Sequence, residues 1–264
     1  MTPDLFCELQ RIISLREADR KCEATRKLAC NWQDLPRPHN SEISEIAQPG
    51  LPPELTLVQP GKLKRRGLAM QSGRNVLMHA IAHIEFNAIN LALDAAYRFR
   101  NLPLEYYGDW LQIAADEARH FGLIRTYLNK HDCEYGDYPA HNGLWDMARQ
   151  TATDVVARMA LVPRVLEARG LDVTPAMIKR LTNAGDLAAV EILQTIYEDE
   201  ITHVERGSHW FRYVCAQQGL EPRATFTKMV AQHLHGQMKG PFNLAARLQA
   251  GFDEAELRAL TEGV

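Results

Sequence analysis

Two Glu-x-x-His tetrapeptides, each preceded by Asp, stand out in this chain: Asp116-Glu117-Ala118-Arg119-His120 and Asp199-Glu200-Ile201-Thr202-His203. On a helix, residues three apart share a face, so within each motif the carboxylate and the imidazole can grip one metal ion. Two motifs indicate two metals, or one pair of metals held between two helices. A mixture of carboxylate and imidazole donors suits iron, and manganese accepts the same set. A single copy would carry little weight, because Glu, Ala and His are ordinary helix residues. The repeat, with its Asp, carries more.

Helical bundles that hold a di-metal carboxylate centre take one further Glu from each of two other helices. Glu85, within Val76–Ile89, and Glu167, at the end of Met159–Glu167, are placed to supply them. Glu85 precedes Glu117 by 32 residues and Glu167 precedes Glu200 by 33. The chain therefore reads as one helical hairpin, Glu then Glu-x-x-His, used twice. The expected ligands are Glu85, Glu117, His120, Glu167, Glu200 and His203.

The elements that must position these groups show matching stripes. One helix places Glu85 in the run Leu77, Ile81, Ile84, Ala88, Ala92, Ala95. A second carries Trp110, Ile113, Glu117, His120, Ile124 and Tyr127, and a fourth carries Leu193, Ile196, Glu200, His203, Gly207 and Trp210. Carboxylates and imidazoles on a core-facing stripe are costly unless paired or bound to metal. In the third helix Val156, Ala160, Pro163 and Glu167 share a face, and Pro163 should kink it. The bland reading of all these groups is surface ion pairing.

A metal-bound imidazole usually donates its other ring N–H to a carboxylate or carbonyl. That gives Asp116 a role beside His203, and Asp199 beside His120. The plainer alternative is an exposed Asp next to Arg119 or Arg206. His79 and His83 continue into Asn87, Asn90 and Asp94, a polar line that either borders a substrate channel or is a satisfied helix face. Tyr197 and Trp110 are candidates for oxidation and electron passage, with core packing the simpler role. His141 reaches the site only if its loop folds over a bundle end, and His209 lies off the His203 face.

Asp116 to His120 resembles the motif of bacterial multicomponent monooxygenases and related oxidases. His79–Glu85, Ala115–Phe121, Gly136–Pro139 with His141–Ala148, and Gly240–Asn243 resemble a bacterial family of ferritin-like proteins, DUF455, over roughly residues 50–250. The resemblance implies an all-α fold, a ferritin-like four-helix bundle with extra N- and C-terminal helices, and the six ligands above. It does not settle the reaction.

The expected organisation is an N-terminal helix (3–32) and a Pro-rich connector in 1–72, packed on the bundle, then the bundle at 73–220 and a C-terminal helical extension at 221–264. The bundle helices are expected at 73–100, 104–130, 143–169 and 187–218. Gly170 should end the third, Pro175 should open a short helix after an N-cap Thr174, and Asp186 should cap the fourth. A turn is expected at Lys239-Gly240-Pro241. With 264 residues and 46% apolar composition, the core is ample. No apolar run is expected to span a bilayer, and Met1–Leu28 lacks a secretion-signal stretch. Five scattered Cys without a Cys-x-x-Cys pair point to reduced thiols in a cytoplasm, with Cys22 and Cys30 only remote metal candidates. A net charge of −3 gives no drive toward nucleic acid, although Lys62, Lys64, Arg65 and Arg66 form a small basic cluster.

The expected activity is that of an O2-dependent di-iron (or Fe/Mn) hydroxylase or oxidase. It would act on a small organic substrate or a modified nucleoside, with a ferredoxin or flavoprotein as electron donor and the Gly240–Asn243 tail covering the site. The alternatives are an iron-handling or peroxide-removing ferritin-like protein, and a structural helical protein with a vestigial metal site.

Overall fold

The structure, a computed structural model, describes residues 4–38, 40–63, 67–234, 238 and 240–262. Among the described residues every regular element is helical, and the extended pairing is a single parallel bridge between Leu57 and Ala140. The chain divides into two compact units, Met1–Gln150 and Thr151–Val264.

The first unit holds α1 (Leu5–Ser14), α2 (Ala18–Asn31), α3 (Gln71–Arg98), α4 (Leu104–Asn129) and α5 (Gly143–Gln150). The single helix expected over 3–32 is two, because Leu15 leaves α1 in an extended conformation. A buried lysine exploits the break. Lys21 Nζ donates to Ile13 O at 2.9 Å, to Gly50 O at 2.8 Å and to Asn90 Oδ1 at 2.6 Å. Three acceptors thus meet the three donors of an ammonium. Gly50 must be glycine here, since a Cβ would collide with the backbone of Ser14 and Leu15.

The connector lies against this unit. Ser44 N donates to Tyr97 Oη at 2.9 Å, Trp145 Nε1 to Ala47 O at 3.2 Å, and Val58 N to Ala140 O at 2.8 Å. Lys62 ends a short 3-10 turn and is exposed. Lys64, Arg65 and Arg66 lie outside the described residues, as do Gly236 and Lys239 of the tail.

Two expectations for α3 are corrected. Ile84, placed on the core stripe, is 49% exposed, while the opposite line of His79, His83, Asn87, Asn90 and Asp94 is buried. Helix α3 is enclosed on nearly every side, so no one stripe defines its core face. By length and mean hydropathy (1.3) α3 also qualifies as long and apolar enough to cross a membrane; 78% of that window is buried inside the protein, as in a core helix.

The second unit holds α6 (Val155–Leu161), a π-helical stretch (Val162–Glu167), α7 (Ala168–Asn183), α8 (Leu187–Gln217), α9 (Pro222–Leu234), α10 (Leu244–Gln249) and α11 (Glu254–Glu262). The third helix expected over 143–169 is therefore split. α5 ends at Gln150, and Asp154 caps α6 by accepting from Ala157 N at 3.0 Å. The helix then runs through Gly170 and Pro175, where an end and a new start were expected. Pro163 cannot donate to its helix, and the widened π turn absorbs the lost bond. Leu171 and Thr174 are buried, so packing holds the helix past Gly170. Asp186 caps α8 as expected, accepting from Ala189 N at 3.1 Å.

The tail belongs to the core of this unit. Arg164 is buried, ion-paired to Glu256 at 2.8 Å and faced by the rings of Phe211, Phe226 and Phe252. Arg247 grips Asp172 through two bonds, at 2.9 and 2.8 Å, with both side chains fully buried.

Candidate metal centre

In the first hairpin, α3 carries Glu85 and α4 carries Glu117 and His120. All three are buried. Their donor atoms lie within 4.8 Å of one another. His120 Nδ1 stands 3.1 Å from Glu85 Oε2 and 3.3 Å from Glu117 Oε2. The i, i+3 spacing puts the Glu117–His120 contact on one helix turn, and the antiparallel packing of α3 brings Glu85 to it. Burial, and next the nearby Glu117 charge, hold the Glu85 carboxyl above its ordinary range; His120 draws it back in part. Two like charges out of water require a cation, a proton or a metal. This donor set fits a transition metal such as iron or manganese.

In the second hairpin, Glu200 and His203 are buried on α8, with His203 Nδ1 3.8 Å from Glu200 Oε1. Glu167 closes the π-helical stretch; the residue is half-buried, yet both its carboxylate oxygens are withdrawn from solvent. Gly207, one turn after His203, lets Pro163 come close: a Cβ there would stand 2.6 Å from Pro163 Cγ.

The family comparison bears on this arrangement. A family profile described as "Protein of unknown function (DUF455)" matches residues 14–258. The chain belongs to the DUF455 family. It is also similar, at 46% identity over 213 residues, to an uncharacterised protein of Haemophilus influenzae; the match covers 78% of this chain and 74% of that protein. No solved structure matches.

Elsewhere in this DUF455 chain, the remaining sequence candidates fall as follows. Asp116 lies 3.7 Å from the Arg119 guanidinium, and Arg119 reaches toward His120 Nε2 at 3.5 Å. Asp199 is half-buried on α8. The His79–Asp94 line is a buried polar face, hydrogen-bonded except at Asn87 Oδ1. His79 Nε2 accepts from Gly136 N at 2.9 Å and from Tyr138 N at 3.4 Å. His83 contacts Tyr135 Oη at 2.7 Å and His141 O at 3.0 Å. Burial, the main cause for both rings, holds each histidine near a pKa of about 4. His141 uses Nδ1 to accept from Gly143 N at 3.2 Å. Trp110 packs against Tyr106, His209 is exposed beside Trp210, and Tyr197 Oη accepts from Asn243. All five cysteines are free thiols, Cys22 buried and Cys30 exposed.

Sequence reasoning missed Lys21 and Tyr135, and it named Asn243 only as part of a covering tail. Tyr135 lies on Phe86 and Phe121, the neighbours of Glu85 and His120. The helix-spaced histidines 79 and 83 were the available signal for a loop that must satisfy them.

Proposed function

We propose that this protein is an O2-activating non-haem di-iron oxidoreductase, a hydroxylase or oxidase of an organic or modified-nucleoside substrate. Its scaffold on this reading is a ferritin-like four-helix bundle made of α3, α4, the α6–α7 helix and α8. The observation that carries the reading is the buried grouping of Glu85, Glu117 and His120, in a hairpin whose pattern the second hairpin repeats.

Glu85, Glu117, His120, Glu167, Glu200 and His203 would hold the metals. When bound, two ferrous ions, or an Fe/Mn pair, supply electrons to O2. The chain's own residues set the conditions. His120 presents Nδ1 toward both carboxylates, so that nitrogen must be unprotonated to bind, and loading releases protons. The buried carboxylates stay close to one another only while a metal or a proton offsets their charge. Asp116 and Asp199 are positioned in sequence to orient the imidazoles. Aromatic rings around Glu85 and His120 exclude water from that side. Reducing equivalents come from an external donor such as a ferredoxin or flavoprotein.

The deciding experiment measures metal content in protein from cells supplied with iron and manganese, then follows absorbance as the reduced form meets O2. About two metals per chain with an O2-dependent absorbance change is the expected result. No bound transition metal, even after anaerobic reconstitution, overturns the reading. Uptake far beyond that loading in an assembled shell points to storage instead.

A further inference from the structure

Pro175 has no N–H, so the carbonyl four residues earlier, Leu171 O, loses its helical donor. The C-terminal segment supplies a replacement: Asn243 Nδ2 donates to Leu171 O at 3.2 Å. The same nitrogen donates to Tyr197 Oη at 2.9 Å. Leu171 stands one turn beyond Glu167, and Tyr197 stands three residues before Glu200, on the face that carries it. One side-chain amide therefore ties the turn after one carboxylate to the turn before the other.

The amide is itself held firmly. Asn243 N donates to Asp172 Oδ1 at 2.9 Å, and Asn243 Oδ1 caps α10 by accepting from Ala246 N at 3.2 Å. The buried Arg247–Asp172 pair fixes the next turn of the tail. On the other side of Glu167, the Gly207–Pro163 contact sets the same two helices against each other. The stretch bearing Glu167 is thus fastened to α8 at both ends.

We infer that Asn243 is a positioning residue: by bridging Leu171 O and Tyr197 Oη it sets the separation of Glu167 and Glu200 and so the metal affinity of the second hairpin. The inference rests on the metal-binding reading proposed above.

Two variants separate this role from folding. Tyr197→Phe deletes only the acceptor on α8. Asn243→Asp deletes the donor but keeps the oxygen that caps α10. Anaerobic calorimetric titration with Mn(II) and with Fe(II) should show binding weakened roughly tenfold in each. The unfolding midpoint of metal-free Tyr197→Phe should stay near that of the wild type. In a Glu167→Gln background, Tyr197→Phe should cause no further loss, since it acts through Glu167. Unchanged affinity in both variants overturns the inference, as does a loss of equal size in the Glu167→Gln background. Wild-type protein that takes up neither metal overturns the metal-binding reading itself, and the positioning role with it.

Discussion

Gly207 and Pro163 pack backbone against ring, with no room for a side chain on the glycine. Four residues back from Gly207 is His203, and four residues on from Pro163 is Glu167. This close contact between the two helices is therefore one turn from both expected ligands. Gly207→Ala should force them apart, at a cost of about 1–3 kcal/mol for overpacking. Chemical denaturation would read this as a lower midpoint. An unchanged midpoint would mean the helices part freely there.

Glu200→Ala should lose at least one metal per chain and keep most of its helix content. Metal analysis beside far-ultraviolet circular dichroism checks both halves. Full metal loading in the variant removes Glu200 from the ligand set.

Glu85→Gln should stabilise the metal-free protein while weakening metal binding. The Glu85 carboxyl is held above its ordinary range by burial and by Glu117. The folded state therefore binds more protons than the unfolded one above about pH 4.5, and metal-free stability falls as pH rises. The glutamine removes that slope. Thermal unfolding with a chelator present, at several pH values, should show a flatter profile; a variant as pH-dependent as the wild type would contradict it.

His79 makes the opposite pH prediction. Its pKa of about 4 in the fold lies below the ordinary 6.5, so the unfolded chain takes up protons first on acidification. The stability it contributes is complete above about pH 6.5 and is lost as pH falls toward 4. Protonating Nε2 would also eject the two N–H donors of Gly136 and Tyr138. His79→Gln retains an acceptor without the titration. The loss per pH unit should shrink by up to about 1.4 kcal/mol relative to the wild type. Equal acid sensitivity in both proteins would count against His79 as the source.

The readable parts of this fold were those governed by near neighbours. The stripes on α4 and α8 are legible because each helix buries one face, and every residue assigned to them is buried. Asp186 is legible because its capping bond reaches only to Ala189. Ile84 misled because α3 is enclosed on nearly every side, its polar line included, and Ile84 falls on the narrow face left open. The helix through Gly170 and Pro175 was hidden for another reason. The donor that tolerates Pro175 comes from Asn243, 72 residues from the carbonyl it satisfies. For the metal groups, the Glu85–Glu117–His120 grouping follows from period and hairpin spacing, whereas the π-helical seat of Glu167 depends on Pro163 packing against Gly207.

Lys21 draws its three acceptors from the end of α1, from the connector and from the middle of α3, with Asn90 69 residues away along the chain. Freeing any one acceptor leaves a hydrogen bond of this buried group unmade, a cost that links α1, the connector and α3. Opening of the N-terminal helices around Lys21 is therefore penalised while α3 stays folded. They should melt with it in a single cooperative step, and a chain trimmed to begin at Gln71 would lose the socket that makes its longest apolar helix safe to bury.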